Sequence, residues 1–344
     1  MLGRLGSPLG GGKGNEVHVV SYNVLSSSLA SPGYFQHCRP ENLHAEKRYK
    51  KLTLKLEEQV KRSAVICLQE VSTAWAGQLH SFFQKEDYYL ISSHYTKQWQ
   101  GYMGSAIAFP TTRFTAEEVE VVRVADTKSW PKRPKPTMFG KLSTAVQDLF
   151  FGPKRNEDHY DLARNRQNTM VLCKLKCRTS GKKICVGTYH MPCMFWAPKV
   201  MVIHSALVCQ KIQSFSKGED TVLCGDFNFK PTDSMYELCT RGSISEDDEN
   251  YPEPTHPEET WTPELEYGFD SAYKTVNGEE PDFTNYAKIR DDPTFIETLD
   301  YVLYSPSLKA KDVVAVPHRD DVEGPLPNKE EPSDHIMVGA TFEL

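Results

Sequence analysis

The sequence predicts an α/β protein, a four-layer α/β sandwich in which two mixed β-sheets pack face to face and carry helices on their outer sides. Two observations point there: strands and helices alternate through the first part of the chain, and the last part is mostly strands. A third bears on function, because one apolar strand after another ends on an acid, an amide or a histidine.

The elements follow in order. "EVHVVSYNVL" (16–25) alternates with period two and is rich in Val, a strand that ends at Asn23. "HAEKRYKKLTLKLEEQVKRS" (44–63) spaces Leu52, Leu56 and Val60 four apart among charges, which predicts an amphipathic helix. "AVICLQEV" (64–71) is a short apolar strand ending on Glu70, and "WAGQLHSFFQK" is the next helix. "GSAIAFP" and "NTMVLCKLKC" read as strands separated by a long segment, 111–163. "KKICVGTYH" is a strand finishing at His190, "PKVMVIHSALVCQKIQSF" is a helix that starts at Pro198, and "DTVLCGDFN" is a strand followed by Pro231. "TLDYVLYS" (298–305) and "SDHIMVGATFEL" close the chain.

The 344 residues, 39% hydrophobic and 25% charged, describe a folded globular protein and exclude a disordered or membrane-spanning one. We expect a flexible Gly-rich leader over 1–15 and one domain over 16–344, with a basic insert at about 126–160. Nine cysteines, an odd number set among apolar neighbours, predict reduced thiols and no disulfide framework. Cys173 and Cys177 have the spacing of a metal pair, but without a second pair they read as buried structural residues. The expected compartment is cytoplasmic, with nucleus and mitochondrion left open.

The net charge of −6 hides an asymmetry. Residues 128–155 hold seven basic residues against one acid, whereas residues 241–300 hold 17 acids against four basic residues. A polyanion would meet the first region favourably and the second poorly. The insert also carries Trp130, Phe139, Phe150 and Phe151, a mixture suited to single-stranded nucleic acid and equally to a solvated loop or a partner contact. The acidic stretch 245–266 reads as a flexible surface loop.

"CGDFNFKP" (224–231) poses the functional question. Side chains two apart on an extended segment share a face, so Asp226 and Asn228 are expected to converge on one object, a hard cation or a phosphate. The plain alternative is a turn built from Gly, Asp, Asn and Pro. Asn23, Glu70, His190, Asp300 and the pair Asp334 and His335 repeat the pattern at other strand ends.

In that order "SYNVL", "LQEV", "TYH", "GDFN", "TLDYVLY" and "SDH" resemble the endonuclease/exonuclease/phosphatase superfamily with its DNase-I-like fold. "SAY", "EEPDFTNY" and "FIETLDYVLYS" (271–305) most resemble its nocturnin-like and carbon-catabolite-repression deadenylases. The resemblance implies a magnesium-dependent 3′–5′ exoribonuclease, with Mn2+ as a possible substitute, acting on single-stranded RNA. The alternative on the same metal site is a nucleotide phosphomonoesterase that removes a dinucleotide 2′-phosphate or opens a cyclic phosphate. A catalytically silent binding module is disfavoured because every acid and base position is filled.

Phosphoester chemistry assigns roles to these residues. Glu70 is the first magnesium ligand, Asp334 completes the shell, and Asn23 helps place the metal and a phosphate oxygen. Asp226 orients the attacking water or holds a second metal, and Asn228 donates to the phosphoryl oxygen. His190 donates to a non-bridging oxygen as charge develops. Asp300 holds the tautomer of His335, which is general base or phosphate ligand; whether His335 or Asp226 takes the proton stays open. For the substrate, Phe295 matches the family's base-stacking aromatic or is a core Phe. Arg164, Arg166 and Asn168 hold a phosphate or ribose, or are exposed residues before a strand. The stretch "MPCMFWAPK" after His190 departs from the deadenylase pattern and puts poly(A) preference in doubt.

Overall fold

A computed structural model describes residues 15–95, 103–131 and 158–344. The strands are β1 (Glu16–Asn23), β2 (Val65–Gln69), β3 (Tyr88–Ser92), β4 (Ala106–Pro110), β5 (Phe114–Arg123), β6 (Thr169–Cys177), β7 (Lys183–His190) and β8 (Thr221–Asp226). They continue as β9 (Asp270–Ser271), β10 (Asn285–Ala287), β11 (Phe295–Glu297), β12 (Asp300–Tyr304), β13 (Lys309–Val313) and β14 (Val338–Glu343). The α-helices among the described residues are α1 (Pro40–Leu43), α2 (Ala45–Lys61), α3 (Thr73–Lys85), α4 (His159–Arg164), α5 (Pro198–Ser216), α6 (Ser234–Arg241) and α7 (Ala272–Asn277).

Two six-stranded sheets form, in the orders β13-β14-β1-β2-β4-β3 and β5-β6-β7-β8-β12-β9. Each is antiparallel except for one inner parallel pair, β1 with β2 and β7 with β8. Period two decides what each strand presents. The odd residues of β1 and β2, Val17, Val19, Val65 and Cys67, meet Ile184, Val186, Val222, Cys224 and Val302 of the other sheet in one apolar layer. Val20, Tyr22, Ile66 and Leu68 face the other way, against Leu52 and Leu56 of α2 and Leu79 and Phe83 of α3. Each such leucine contributes about 2 kcal/mol through its buried apolar surface.

On the far side, α5 lies against the second sheet. It is apolar nearly all round because it is buried nearly all round, between that sheet and the segment 251–267. This corrects the expectation of a flexible acidic loop. The segment is tied down by Tyr160 Oη donating to Pro252 O at 2.8 Å, Gln210 Nε2 to Glu264 O at 2.7 Å and Gln213 Nε2 to Tyr267 O at 2.8 Å.

Lys128 is likewise corrected. It does not await a polyanion: its ammonium is buried on Glu259 at 2.7 Å and lies over the rings of Trp130, Tyr160 and Trp261. The rest of the basic insert, including Phe139, Phe150 and Phe151, falls outside the described residues.

At one end of the apolar layer the facing residues turn polar. Gln69 Nε2 donates to Ser21 Oγ at 3.0 Å and across to Thr188 Oγ1 of the second sheet at 2.9 Å, while its buried Oε1 has no partner among the described residues.

His204 of α5 yields a first prediction. Its nitrogens lie 2.8 Å from Tyr189 Oη and 3.0 Å from Ala163 O, and burial lowers its pKa to about 4. Between that value and the unfolded value near 6.5 the unfolded chain binds the extra proton, so stability falls as pH drops through this window. Urea unfolding at pH 7 and pH 4.5 will show the loss, and His204→Asn will flatten that slope. Equal slopes for the two proteins would refute the assignment.

Several strands were hidden from the sequence reading. β5 lies inside the stretch read as a connection, because as an edge strand it points Glu117, Glu118 and Glu120 outward and loses its apolar signature. No helix among the described residues is long and apolar enough to cross a membrane.

Candidate active site

Strand register assembles the site. His190 of β7 pairs with Asp226 of β8, which pairs with Asp300 of β12, so three functional side chains stand abreast at one end of the second sheet. Asn23 at the end of β1 pairs with Gln69, the residue before Glu70, at the facing end of the first sheet. The two ends meet through Asn23, whose Nδ2 lies 2.9 Å from Asp226 Oδ2 and 3.2 Å from Glu70 Oε1.

The close approach of β7 and β8 depends on Gly225. A Cβ there would lie 1.9 Å from Tyr189 O, which explains the glycine before the aspartate. The period-two argument for Asn228 is corrected. β8 stops at Asp226, whose Oδ1 accepts from Asn228 N at 3.0 Å, and Asn228 takes a left-handed conformation with φ 52°. Its Nδ2 donates to Met191 O at 2.9 Å, so the turn brings Asn228 to the cleft where strand pleating cannot. Glu70 also leaves its strand with positive φ, 58°, and its Oε2 accepts from Ser26 N at 2.9 Å.

Asp226 Oδ2 is the centre of the cluster. Besides Asn23 it faces His190 Nε2 at 3.4 Å and His335 Nε2 at 3.6 Å. His335 Nδ1 is 2.7 Å from Asp300 Oδ2. Burial alone lowers the His335 pKa, but the Asp300 and Asp226 carboxylates outweigh it and hold the imidazole well above its ordinary value. Burial raises the Asp334 carboxyl to about 6, and Glu70 adds to this against the pull of His335.

Carboxylates gathered without enough positive charge suit a divalent cation. Glu70, Asp226, Asp300 and Asp334 are all buried, and Asp300 Oδ1 has no hydrogen-bond partner among the described residues. Asp226, Asp300 and His335 offer donor atoms within 4.8 Å of one another. This oxygen-rich set fits a hard ion such as Mg2+ or Mn2+. Asn23 has its Oδ1 engaged by Leu25 N at 3.0 Å and acts through the two acids its Nδ2 holds together.

Arg48 of α2, fully buried, donates to Pro332 O at 2.6 Å and Val24 O at 2.7 Å, clamping the loop after Asn23 to the loop before Asp334.

The cluster lies in a cleft of about 1140 Å³. Phe295 lines it and tilts against Phe195, ring centroids 6.2 Å apart. Arg166 and Asn168 also line it; Asn168 Nδ2 donates to His190 O at 2.8 Å and thereby steadies the strand end. Arg164 does not reach the cleft. Exposed at the end of α4, it borders a small separate hollow with Trp130 and Tyr160. The sequence reading missed Tyr95, which bonds His190, and Phe195, although Phe195 sits in the stretch "MPCMFWAPK" that had stood out as unusual. Nothing in "SSHYTKQ" marked Tyr95.

Two mixed sheets whose open end gathers buried acids, amides and paired imidazoles define the DNase-I-like architecture of phosphoester hydrolases. The model of the endonuclease/exonuclease/phosphatase family matches residues 211–335. The 3′-5′-exoribonuclease subunit Ccr4 of the CCR4-Not complex from Candida albicans is 26% identical over 95% of this chain and 41% of its own length. The 2′,5′-phosphodiesterase 12 of Mus musculus is 26% identical over 94% of this chain and 51% of its own. The chain thus spans about half the length of these curated relatives. Among solved structures, ANGEL2, a 2′,3′-cyclic phosphatase in complex with adenosine-2′,3′-vanadate, superposes with a TM-score of 0.72 at 20% identity, covering 96% of both chains. That likeness shows the fold.

Proposed function

We propose that the protein is a divalent-metal-dependent phosphodiesterase of deadenylase type that shortens single-stranded RNA from its 3′ end. The observation that carries the reading is the Asp226 carboxylate, faced by Asn23 Nδ2, His190 Nε2 and His335 Nε2 on the floor of a cleft lined by Phe195, Phe295 and Arg166. A phosphoester needs charge neutralised on its oxygens and a water aimed at phosphorus. Glu70 and Asp334 would hold the ion, Mg2+ by the hardness of the donors, and the ion would neutralise the non-bridging oxygens.

The chain's own residues do the rest. We infer that Asp226, rather than His335, orients the attacking water and accepts its proton. His335, kept protonated by Asp300, presents its Nε2 proton to the developing charge. His190 Nε2 faces the same oxygen of Asp226 and donates to the phosphoryl group. Phe195 and Phe295 stack a nucleobase and Arg166 meets a phosphate.

The named relatives act on different ribose esters, and ANGEL2 supports a second reading in which the substrate is an RNA end or nucleotide bearing a 2′,3′-cyclic or 2′-phosphate. A Mg2+-dependent assay on labelled oligo(A), mixed RNA, single-stranded DNA, a cyclic-phosphate RNA end and a dinucleotide 2′-phosphate separates the two. Stepwise shortening of oligo(A) is the expected result, and release from the cyclic or 2′-phosphate alone replaces it with the second reading. With oligo(A), Phe295→Ala and Phe195→Ala should each raise KM about 10-fold, from loss of about 1–3 kcal/mol of stacking, with little change in kcat. A KM unmoved by both substitutions removes the stacking subsite.

A further inference from the structure

The two imidazoles that flank Asp226 differ in what stands behind them. His335 has a carboxylate, Asp300, on its Nδ1; His190 has a phenol, with Tyr95 Oη 2.8 Å from His190 Nδ1. Tyr95 is 5% exposed, its ring meets the imidazole edge-on at 6.4 Å, and its backbone is held by an antiparallel bridge to Met103. Asn168 Nδ2 holds His190 O from another direction, so both ring and backbone of His190 are fixed.

Electrostatics then selects one tautomer. His190 Nε2 stands 3.4 Å from Asp226 Oδ2. If Nδ1 carried the proton, the Nε2 lone pair would point at a carboxylate oxygen; with the phenol O–H donated to Nδ1, Nε2 carries the proton and the contact is attractive. A neutral partner also orients the ring without adding another carboxylate to a cluster that already has Glu70, Asp226, Asp300 and Asp334.

We propose that Tyr95 is a positioning residue that fixes His190 with its proton on Nε2 and so keeps an N–H donor aimed at the phosphoester oxygen beside Asp226. The role in turnover rests on the phosphoester reading of the cleft; the tautomer does not. The experiment is a long-range 1H–15N spectrum of 15N-histidine-labelled protein, wild type and Tyr95→Phe, recorded beside kcat and KM on oligo(A) and the cyclic-phosphate end. We expect an Nε2–H signature for His190 in wild type, a mixture of tautomers in Tyr95→Phe, and a kcat lowered about 10- to 100-fold with KM within about twofold.

An Nδ1–H signature in wild type overturns the proposal without any variant, so it stays testable even if Tyr95→Phe folds poorly. An unchanged tautomer and unchanged kcat in a folded Tyr95→Phe protein also overturn it. If wild type turns over no substrate yet shows the Tyr95-dependent tautomer, the positioning role stands and the phosphoester reading fails.

Discussion

Asparagine in place of Asp226 should lower kcat about 10³-fold or more, with KM for oligo(A) nearly unchanged. The substitution keeps the shape and one acceptor but removes the charge on which Asn23, His190 and His335 converge. On the proposed mechanism it also removes the group that takes the proton from water, an interaction made in the transition state and not on binding, which is why the loss is expected in kcat. His335→Ala should act through the same unit, so the double variant will be scarcely slower than the worse single one. Retention of more than about a tenth of wild-type kcat by Asp226→Asn would mean that another group performs the proton transfer. Arg164→Ala serves as the control; bordering a separate hollow and not the cleft, it should leave both constants within about twofold.

The second large effect is on stability. Gly225→Ala would put a methyl group 1.9 Å from Tyr189 O and about 3 Å from Tyr189 N and C, all backbone atoms that cannot swing aside. The parallel pair of β7 and β8 must separate, and the same ladder carries His190 opposite Asp226. We expect a loss of about 3 kcal/mol or more in urea unfolding, together with activity lost beyond what the unfolded fraction explains. A variant within about 1 kcal/mol of wild type and fully active would show that the strands do not approach so closely.

Much of this was legible in the sequence for a simple reason. Buried strands such as "KKICVGTYH" and "TLDYVLYS" are dense in Val, Ile, Leu and Tyr, so a polar residue at the end stands out, and six such ends named the cluster. What stayed hidden depends on contacts between distant segments. β5 carries glutamates because its outer edge meets water, and the acidic stretch 245–266 reads as a loop because its anchoring is done by backbone carbonyls that accept from Gln210, Gln213 and Tyr160. The placement of Asn228 failed for a local reason: an aspartate side chain bonded two residues ahead ends a strand, and the pleat ceases to govern direction. Tyr95 is beyond sequence reasoning because only the folded chain brings it to a histidine 95 positions away.

The bridge from Gln69 to Ser21 and Thr188, with the Asn23–Asp226 bond above it, makes the sandwich uneven along its length. At the catalytic end the sheets are joined by hydrogen bonds, which tolerate little change in distance or angle; farther in they touch through Val, Ile and Cys, whose contacts have no preferred direction. The molecule is therefore built like a book bound at one edge. A change of core volume far from the binding, such as Val17→Ile, can be absorbed by the pages opening or closing slightly while the bound edge keeps its spacing. Drift in the core and constancy of the chemistry are thereby separated, and the inner strands are free to vary in ways that the strand ends are not.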